Sequence, residues 1–110
     1  MNILISIPAV VWLLVSALFF GIGEYLSKVW AQKPSLVLSF WAVLVYVLGA
    51  VTWLPVLFHK NELSTMGTLW LLLGLLATVS IGILVFHESL NYYQIAGVVL
   101  AVIAVILINL

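Results

Sequence analysis

Glu24 is the residue whose type and position point most directly to chemistry. It is the only acidic residue in the apolar stretch from residue 3 to residue 27, and Lys28 follows four residues later. A carboxylate inside a bilayer-spanning helix costs several kcal/mol unless it is paired, protonated or in contact with water. Two interpretations remain open. Glu24 binds or couples a solute or an ion, or it is an interfacial acid paired with Lys28 in the favourable Glu-before-Lys order.

The residues around Glu24 are suited to close approach. On a helix, Gly21 and Ser27 lie three residues before and after it, on the same face. Small residues let a second helix or a ligand come near. Further along the chain, the π-faces of Tyr46 and Trp70 suit an aromatic or cationic ligand, with ordinary packing as the alternative. The candidate substrate- or ion-binding residues are therefore Glu24, Gly21, Ser27, Tyr46 and Trp70.

The composition indicates an integral membrane protein. Of the 110 residues, 67% are hydrophobic and 5% are charged, and the mean hydropathy is +1.43. A water-soluble fold must cover its surface with polar side chains, and this chain has too few. A net charge of zero argues against nucleic acid as a partner. With no cysteine, no Ser–His–acid set and no glycine-rich phosphate loop, we expect no enzyme, no cofactor and no metal.

Four apolar runs separated by short polar breaks predict four spanning helices. A span takes about 20 apolar residues, and in hydrocarbon a run of this length must be helical. The predicted helices cover residues 3–27, 35–58, 64–86 and 90–110 and form one domain. We expect an all-α, up-down bundle that dimerises in the plasma (inner) membrane as a multi-pass protein, with the lipid bilayer as its surroundings.

Proline and small polar residues mark the ends of the predicted helices. Pro8 is expected within the first turns of the first helix, and Pro55 is expected to bend the second helix without ending it. The expected N-caps are Ser35 for the second helix, Ser64 or Thr65 for the third, and Ser89 or Asn91 for the fourth.

The fourth predicted helix carries a stripe of small residues. Ala96, Gly97, Ala101 and Ala104 recur at roughly one-turn spacing, which is typical of helix–helix contacts in membranes. The stripe packs either within the chain or against a second copy. The sequence slightly favours the second copy, because a four-helix chain has little other surface suited to association.

The arrangement resembles the small multidrug resistance family of the drug/metabolite transporter superfamily, which also contains the EamA-like transporters. The third span of that family aligns in register with Trp70, Gly74, Phe86 and Leu90 of this chain. Glu88, which Gly97 follows nine residues later, resembles the EamA-like signature. The resemblance extends over the whole chain. It implies a minimal secondary transporter, with helices packed about a membrane-embedded pocket assembled from two copies.

Two positions depart from the pattern of that family. Its coupling glutamate stands eight residues before the lysine that ends the first span, whereas here Phe20 holds that place and the acid is Glu24. Gly67 stands where the family has a substrate-contacting tyrosine. The resemblance therefore implies an architecture and a small-molecule transport class rather than export of cationic drugs.

Three classes of function remain open. The first is a small-solute transporter that works as a homodimer, with Glu24 as its binding or coupling carboxylate. The second is a flippase-type or accessory subunit for a lipid-linked group, and the third is a structural membrane protein. Lys28 and Lys33 on one side nearly balance Lys60 and the N-terminal amine on the other. An antiparallel dimer of dual topology and a parallel dimer therefore both remain open.

Overall fold

A computed structural model describes residues 6–59 and 62–110. Within these ranges the chain forms four α-helices and no β-strand: α1 (Ala9–Gln32), α2 (Leu36–His59), α3 (Leu63–Leu84) and α4 (Tyr92–Ile108). The predicted all-α class is confirmed. By length and composition α1, α2 and α3 are candidate membrane spans, whereas α4 is a shorter apolar helix. Three of the described helices are therefore long and apolar enough to cross a membrane, and a crossing by α4 stays a prediction.

Helix α1 begins and ends later than predicted. Pro8 has extended backbone, with φ of −60° and ψ of 151°, and it precedes the helix instead of lying in its first turns. At the other end the helix continues past Ser27 to Gln32. The prediction followed the change in polarity, but Lys, Ala and Gln all favour helix, so polarity alone does not end it. Predicted helical residues 3–5 and the topology residue Lys60 lie outside the described residues.

The other helices begin and end within two residues of the predicted bounds. The Ser35 hydroxyl accepts a hydrogen bond from the Leu38 amide at 3.1 Å, which confirms this cap. Asn91 also caps as predicted, because its side chain and that of Gln94 exchange hydrogen bonds with each other's backbone amides. Pro55 lies inside α2 without ending the helix, as predicted.

The predicted cap of α3 is wrong. Glu62 occupies the N-cap position and makes no side-chain capping bond. The Thr65 hydroxyl instead donates to the Glu62 carbonyl at 3.2 Å and to the Glu62 carboxylate at 3.1 Å. The Thr65 hydroxyl thus donates to a residue that precedes it in the chain. Thr65 therefore lies within the first turn of α3, after the helix has begun.

The first of two compact units contains α1 and α2. Residues 33–35 connect these helices, and a connection this short makes them run antiparallel. One stripe of α1 contacts α2, at spacings of four, three and four residues: Ser16, Phe20, Gly23 and Ser27. This spacing keeps the four residues on one helical face. That all four helices form a single domain stays a prediction.

Ser16 and Gly49 make the most deeply buried contact between α1 and α2. Ser16 is 0% exposed, and its hydroxyl donates to the Gly49 carbonyl at 2.7 Å. A Cβ built on Gly49 would lie 3.5 Å from the Phe19 Cβ, in ordinary van der Waals contact. The hydrogen bond therefore joins two apolar helices at a point where their backbones come close together.

The second unit contains α3 and α4. Between them lies a groove of about 150 Å³ lined by Thr68, Leu71, Leu72 and Leu75 of α3 and by Ala101 and Val105 of α4. Within the small-residue stripe of α4, Ala101 faces this groove, whereas Ala96, Gly97 and Ala104 are exposed. Packing inside the unit therefore uses only part of the stripe.

We expect Ser16→Ala to lower the free energy of unfolding of the α1–α2 hairpin by about 1 kcal/mol, the net value of one interhelical hydrogen bond. Reversible unfolding in mixed micelles measures this change. Ser39→Ala is the matched control, because the Ser39 hydroxyl donates to the Ser35 carbonyl at the start of α2. This bond is local and does not join α2 to α1. Equal losses for the two variants would contradict a cross-linking role for Ser16.

Candidate functional site

Tyr46 joins the polar groups of α1 to α2. Its hydroxyl lies 3.2 Å from the Ser27 Oγ. The Glu24 carboxylate lies near enough to the same hydroxyl to act on it through its charge. The structure thus brings together three of the five predicted site residues, and we call Glu24, Ser27 and Tyr46 the polar cluster.

The backbone of α1 takes part in this cluster. The Ser27 hydroxyl donates to the Gly23 carbonyl, four residues earlier, at 2.7 Å. A serine hydroxyl that donates to the carbonyl four residues earlier in its own helix needs no water molecule as an acceptor. Ser27 therefore links the Tyr46 hydroxyl to the backbone of α1.

Gly23 makes room for the ring of Tyr46. A Cβ built on Gly23 would lie 2.8 Å and 2.9 Å from two carbons of that ring, closer than real Cβ atoms come. The Phe20 ring meets the same ring edge-on, with centroids 6.0 Å apart and planes at 67°. Gly23 was not among the predicted site residues. Its spacing of four residues places it on the same helical face as Ser27, but only the register with α2 shows that the Tyr46 ring covers it.

The polar cluster lies well inside the length of both helices. Helix α1 is about 36 Å long at 1.5 Å per residue, and Glu24 stands eight residues, or about 12 Å, before its end. Tyr46 stands ten residues after the start of the 24-residue α2, close to its middle. A hydrocarbon core is about 30 Å thick. Helices that span it would therefore hold the carboxylate and the phenol within the core, where polar side chains are costly.

Lys28 lies one turn closer than Glu24 to the end of α1. Its long side chain can extend along the helix and place the ammonium group near the membrane surface. Glu24 and Lys28 are the only charged residues of this helix. Their depths differ by about 6 Å along the axis, so the carboxylate is the deeper of the two charges.

The two remaining predicted site residues are Gly21 and Trp70. Gly21 is buried on α1, three residues before Glu24. Trp70 is half-buried on α3 and belongs to the second unit. Roles for Gly21 and Trp70 in binding stay predictions.

A second carboxylate folds back over the end of α3. The Glu88 amide donates to the Gly82 carbonyl at 2.9 Å, and a Cβ built on Gly82 would meet the Glu88 Oε1 at 2.6 Å. His87, between them in the turn, has φ of 57°, in the left-handed region. Glu88 is exposed and shapes the turn between α3 and α4.

Fold and site together define an all-helical arrangement in which three described helices are long and apolar enough to cross a membrane, with a polar cluster between α1 and α2. Compared with protein-family models, with curated proteins and with solved structures, the chain matches none of them. The resemblance to the small multidrug resistance family therefore stays a prediction.

We expect Gly23→Ala to displace the Tyr46 ring and to weaken solute binding about ten-fold or more while the helices remain folded, because the added methyl group has no space. Gly49→Ala is the matched control, since its Cβ would make only ordinary contacts. Solute binding to both purified variants, with helix content measured by circular dichroism, checks the difference. Equal binding by the two variants would contradict this account of Gly23.

Proposed function

We propose that this protein is a minimal secondary transporter of small solutes, with Glu24 as the carboxylate that binds or couples the solute. The observation that carries the proposal is that Glu24 lies near the polar contact of Tyr46 with Ser27, deep within the apolar lengths of α1 and α2. Ionisable groups at such a depth are costly and usually serve an ion or substrate path.

A purely structural pair of Glu24 with Lys28 accounts for less of the site. Such a pair needs only the four-residue spacing on α1. It does not require a phenol from α2, nor a glycine that admits the phenol ring against α1. A transport site benefits from both, because Tyr46 can donate to the carboxylate when a solute or a proton has left it.

The proposed transporter is a multi-pass protein of the plasma (inner) membrane and works as a homodimer. A single four-helix bundle is too thin to enclose a hydrated path and also to shield Glu24 from lipid. The exposed small residues Ala96, Gly97 and Ala104 of α4 offer a surface that lets a second copy come close. In this respect the proposal follows the resemblance to small multidrug resistance proteins and EamA-like transporters.

A flippase-type or accessory role for a lipid-linked group is the second candidate. An apolar groove of about 480 Å³ runs along α2, lined by Leu36, Ser39, Phe40, Val43, Leu44 and Val47. Its length and apolar lining suit a hydrocarbon chain. In this second proposal the polar cluster would bind the head group of the lipid.

We expect Glu24→Gln to abolish solute binding and transport while the protein stays folded, because glutamine keeps the shape of glutamate and loses its charge. Currents on solid-supported membranes, recorded with a panel of amines, amino acids and sugars, measure transport. Glu62→Gln is the matched control, since Glu62 lies exposed at the start of α3. Transport by Glu24→Gln at the wild-type rate would contradict the proposal. Scrambling of a labelled lipid in the absence of solute currents would favour the second candidate.

We expect a single cysteine introduced at Lys33 to react with a membrane-impermeant maleimide from both faces of the membrane, as an antiparallel dimer requires. The chain has no native cysteine, so the label reports this site alone. Labelling in right-side-out and inverted vesicles makes the measurement. Reaction from one face only would exclude the antiparallel arrangement and leave the parallel dimer.

A further inference from the structure

A face of α2 distinct from the one that contacts α1 carries a long apolar groove. Its volume is about 480 Å³, and its lining residues recur along the helix at spacings of one to four positions: Leu36, Ser39, Phe40, Val43, Leu44 and Val47. This pattern follows one helical face, whereas the contacts with α1 use Tyr46 and Gly49. Val43 is 62% exposed and Val47 is 50% exposed. The groove therefore opens away from the α1–α2 contact.

The groove is suited to hydrocarbon, and one of its walls is held in place. The hydroxyl among its lining residues belongs to Ser39 and donates to the Ser35 carbonyl at 3.0 Å, so its hydrogen is already used. The Phe40 ring packs edge-on against the Trp41 ring, with centroids 5.6 Å apart and planes at 78°. A ring that is supported in this way keeps its position without a ligand, and such preorganisation favours binding.

The length of the groove matches the part of a lipid chain that lies in one leaflet. From Leu36 to Val47 the helix rises about 17 Å along its axis. A hydrocarbon core is about 30 Å thick, so one leaflet is about 15 Å deep. If α2 crosses the bilayer as proposed, the groove runs from the membrane surface at Leu36 to the middle of the bilayer at Val47.

The surface end of the groove is positively charged. Lys33 is exposed and lies three residues before Leu36, in the connection from α1. Lys28 has the same sign of charge, and residues 25–61 contain no acidic residue. Trp30 is exposed near the end of α1, and tryptophan is typical of the head-group level of a membrane. A negatively charged head group at this level is therefore attracted by Lys33.

We propose that this groove binds one phospholipid with a negatively charged head group: an acyl chain lies along α2 from Leu36 to Val47, and the Lys33 ammonium group binds the phosphate. The long stem of a lysine lets its ammonium group reach the head-group level, and a cation near the surface strengthens the binding of anionic lipid. The site goes beyond the proposed transport function, because its ligand is a resident lipid of the bilayer. The head group lies at the connection rather than at the polar cluster, so this lipid differs from the transported lipid of the second candidate.

A second copy of the chain is less suited to the groove than a lipid. Helices in membranes approach each other closely over small residues, and the exposed small residues are Ala96, Gly97 and Ala104 of α4. The groove is lined instead by leucine, valine and phenylalanine, with one serine. A flexible acyl chain fits between such large side chains, whereas the backbone of another helix is held away by them.

Native mass spectrometry of the full chain tests the preference for the head group. The protein is released from micelles that contain equal amounts of phosphatidylglycerol and phosphatidylcholine of identical chains, and no solute is present. We expect one phosphatidylglycerol per chain to be retained about five-fold more often than phosphatidylcholine, the effect of one cation near the membrane surface. Equal retention of the two lipids overturns the proposal.

Substitutions of Lys33 assign that preference to one residue. We expect Lys33→Gln to abolish the preference and Lys33→Arg to keep it, because arginine also binds phosphate. Lys60→Gln is the matched control, since it makes the same change of charge outside the connection of α1 and α2. A preference that Lys33→Gln retains, or that Lys60→Gln loses equally, overturns the proposal.

A substitution inside the groove tests the place of the chain. Val43→Trp fills the middle of the groove and should lower the retention of both lipids about five-fold or more. Val51→Trp is the matched control, because Val51 is exposed on the same helix beyond the end of the groove. Equal retention by the two variants, with equal helix content by circular dichroism, overturns the proposal.

A spin label covers a Val43→Trp variant that fails to fold. A nitroxide on a single cysteine at Val43, which the absence of native cysteine allows, should collide with oxygen as often as a label exposed to lipid. A low collision rate would mean that protein covers this face, and it would overturn the proposal. Lipid retention without transport would reject only the proposed function, and transport by a protein that retains both lipids equally would reject only this inference.

Discussion

The cost of an unsatisfied polar group in hydrocarbon governs the α1–α2 hairpin. Three of its polar side chains are bonded to the other helix or back to their own, whereas the buried Trp12 Nε1 has no partner among the described residues. Ser16 bonds across to Gly49, Ser27 bonds to Gly23, and Thr52 donates to the carbonyls of Leu48 and Gly49. These bonds let long apolar helices carry polar groups in their interior.

Packing and chemistry depend on the same few residues. Gly23 allows the Tyr46 ring to lie against α1, and the ring position brings its hydroxyl to Ser27 and Glu24. Phe20 also contacts this ring, edge-on. A change that fills the space over Gly23 therefore disturbs the site before it disturbs the helices.

Sequence patterns predicted the helices, two caps and three residues of the polar cluster, but not how these residues meet. Hydropathy locates apolar runs, and Asn91 with Gln94 is a local signal that needs no tertiary information. The contact of Tyr46 with Ser27 depends on the register between α1 and α2. The apolar periodicity of either helix alone does not specify this register. Gly23 was missed for that reason, since its value lies in the ring of Tyr46 on the other helix.

Helix α1 ends later than predicted, and this changes how the position of Glu24 is interpreted. Judged by Lys28, the acid stands one turn closer to the membrane surface than the corresponding glutamate in the small multidrug resistance pattern. The helix, however, continues to Gln32, eight residues beyond Glu24. This is the separation that the family pattern has between its glutamate and the lysine at the end of the span. If α1 crosses a membrane as proposed, the one-turn spacing between Glu24 and Lys28 therefore does not by itself place the carboxylate at the membrane surface.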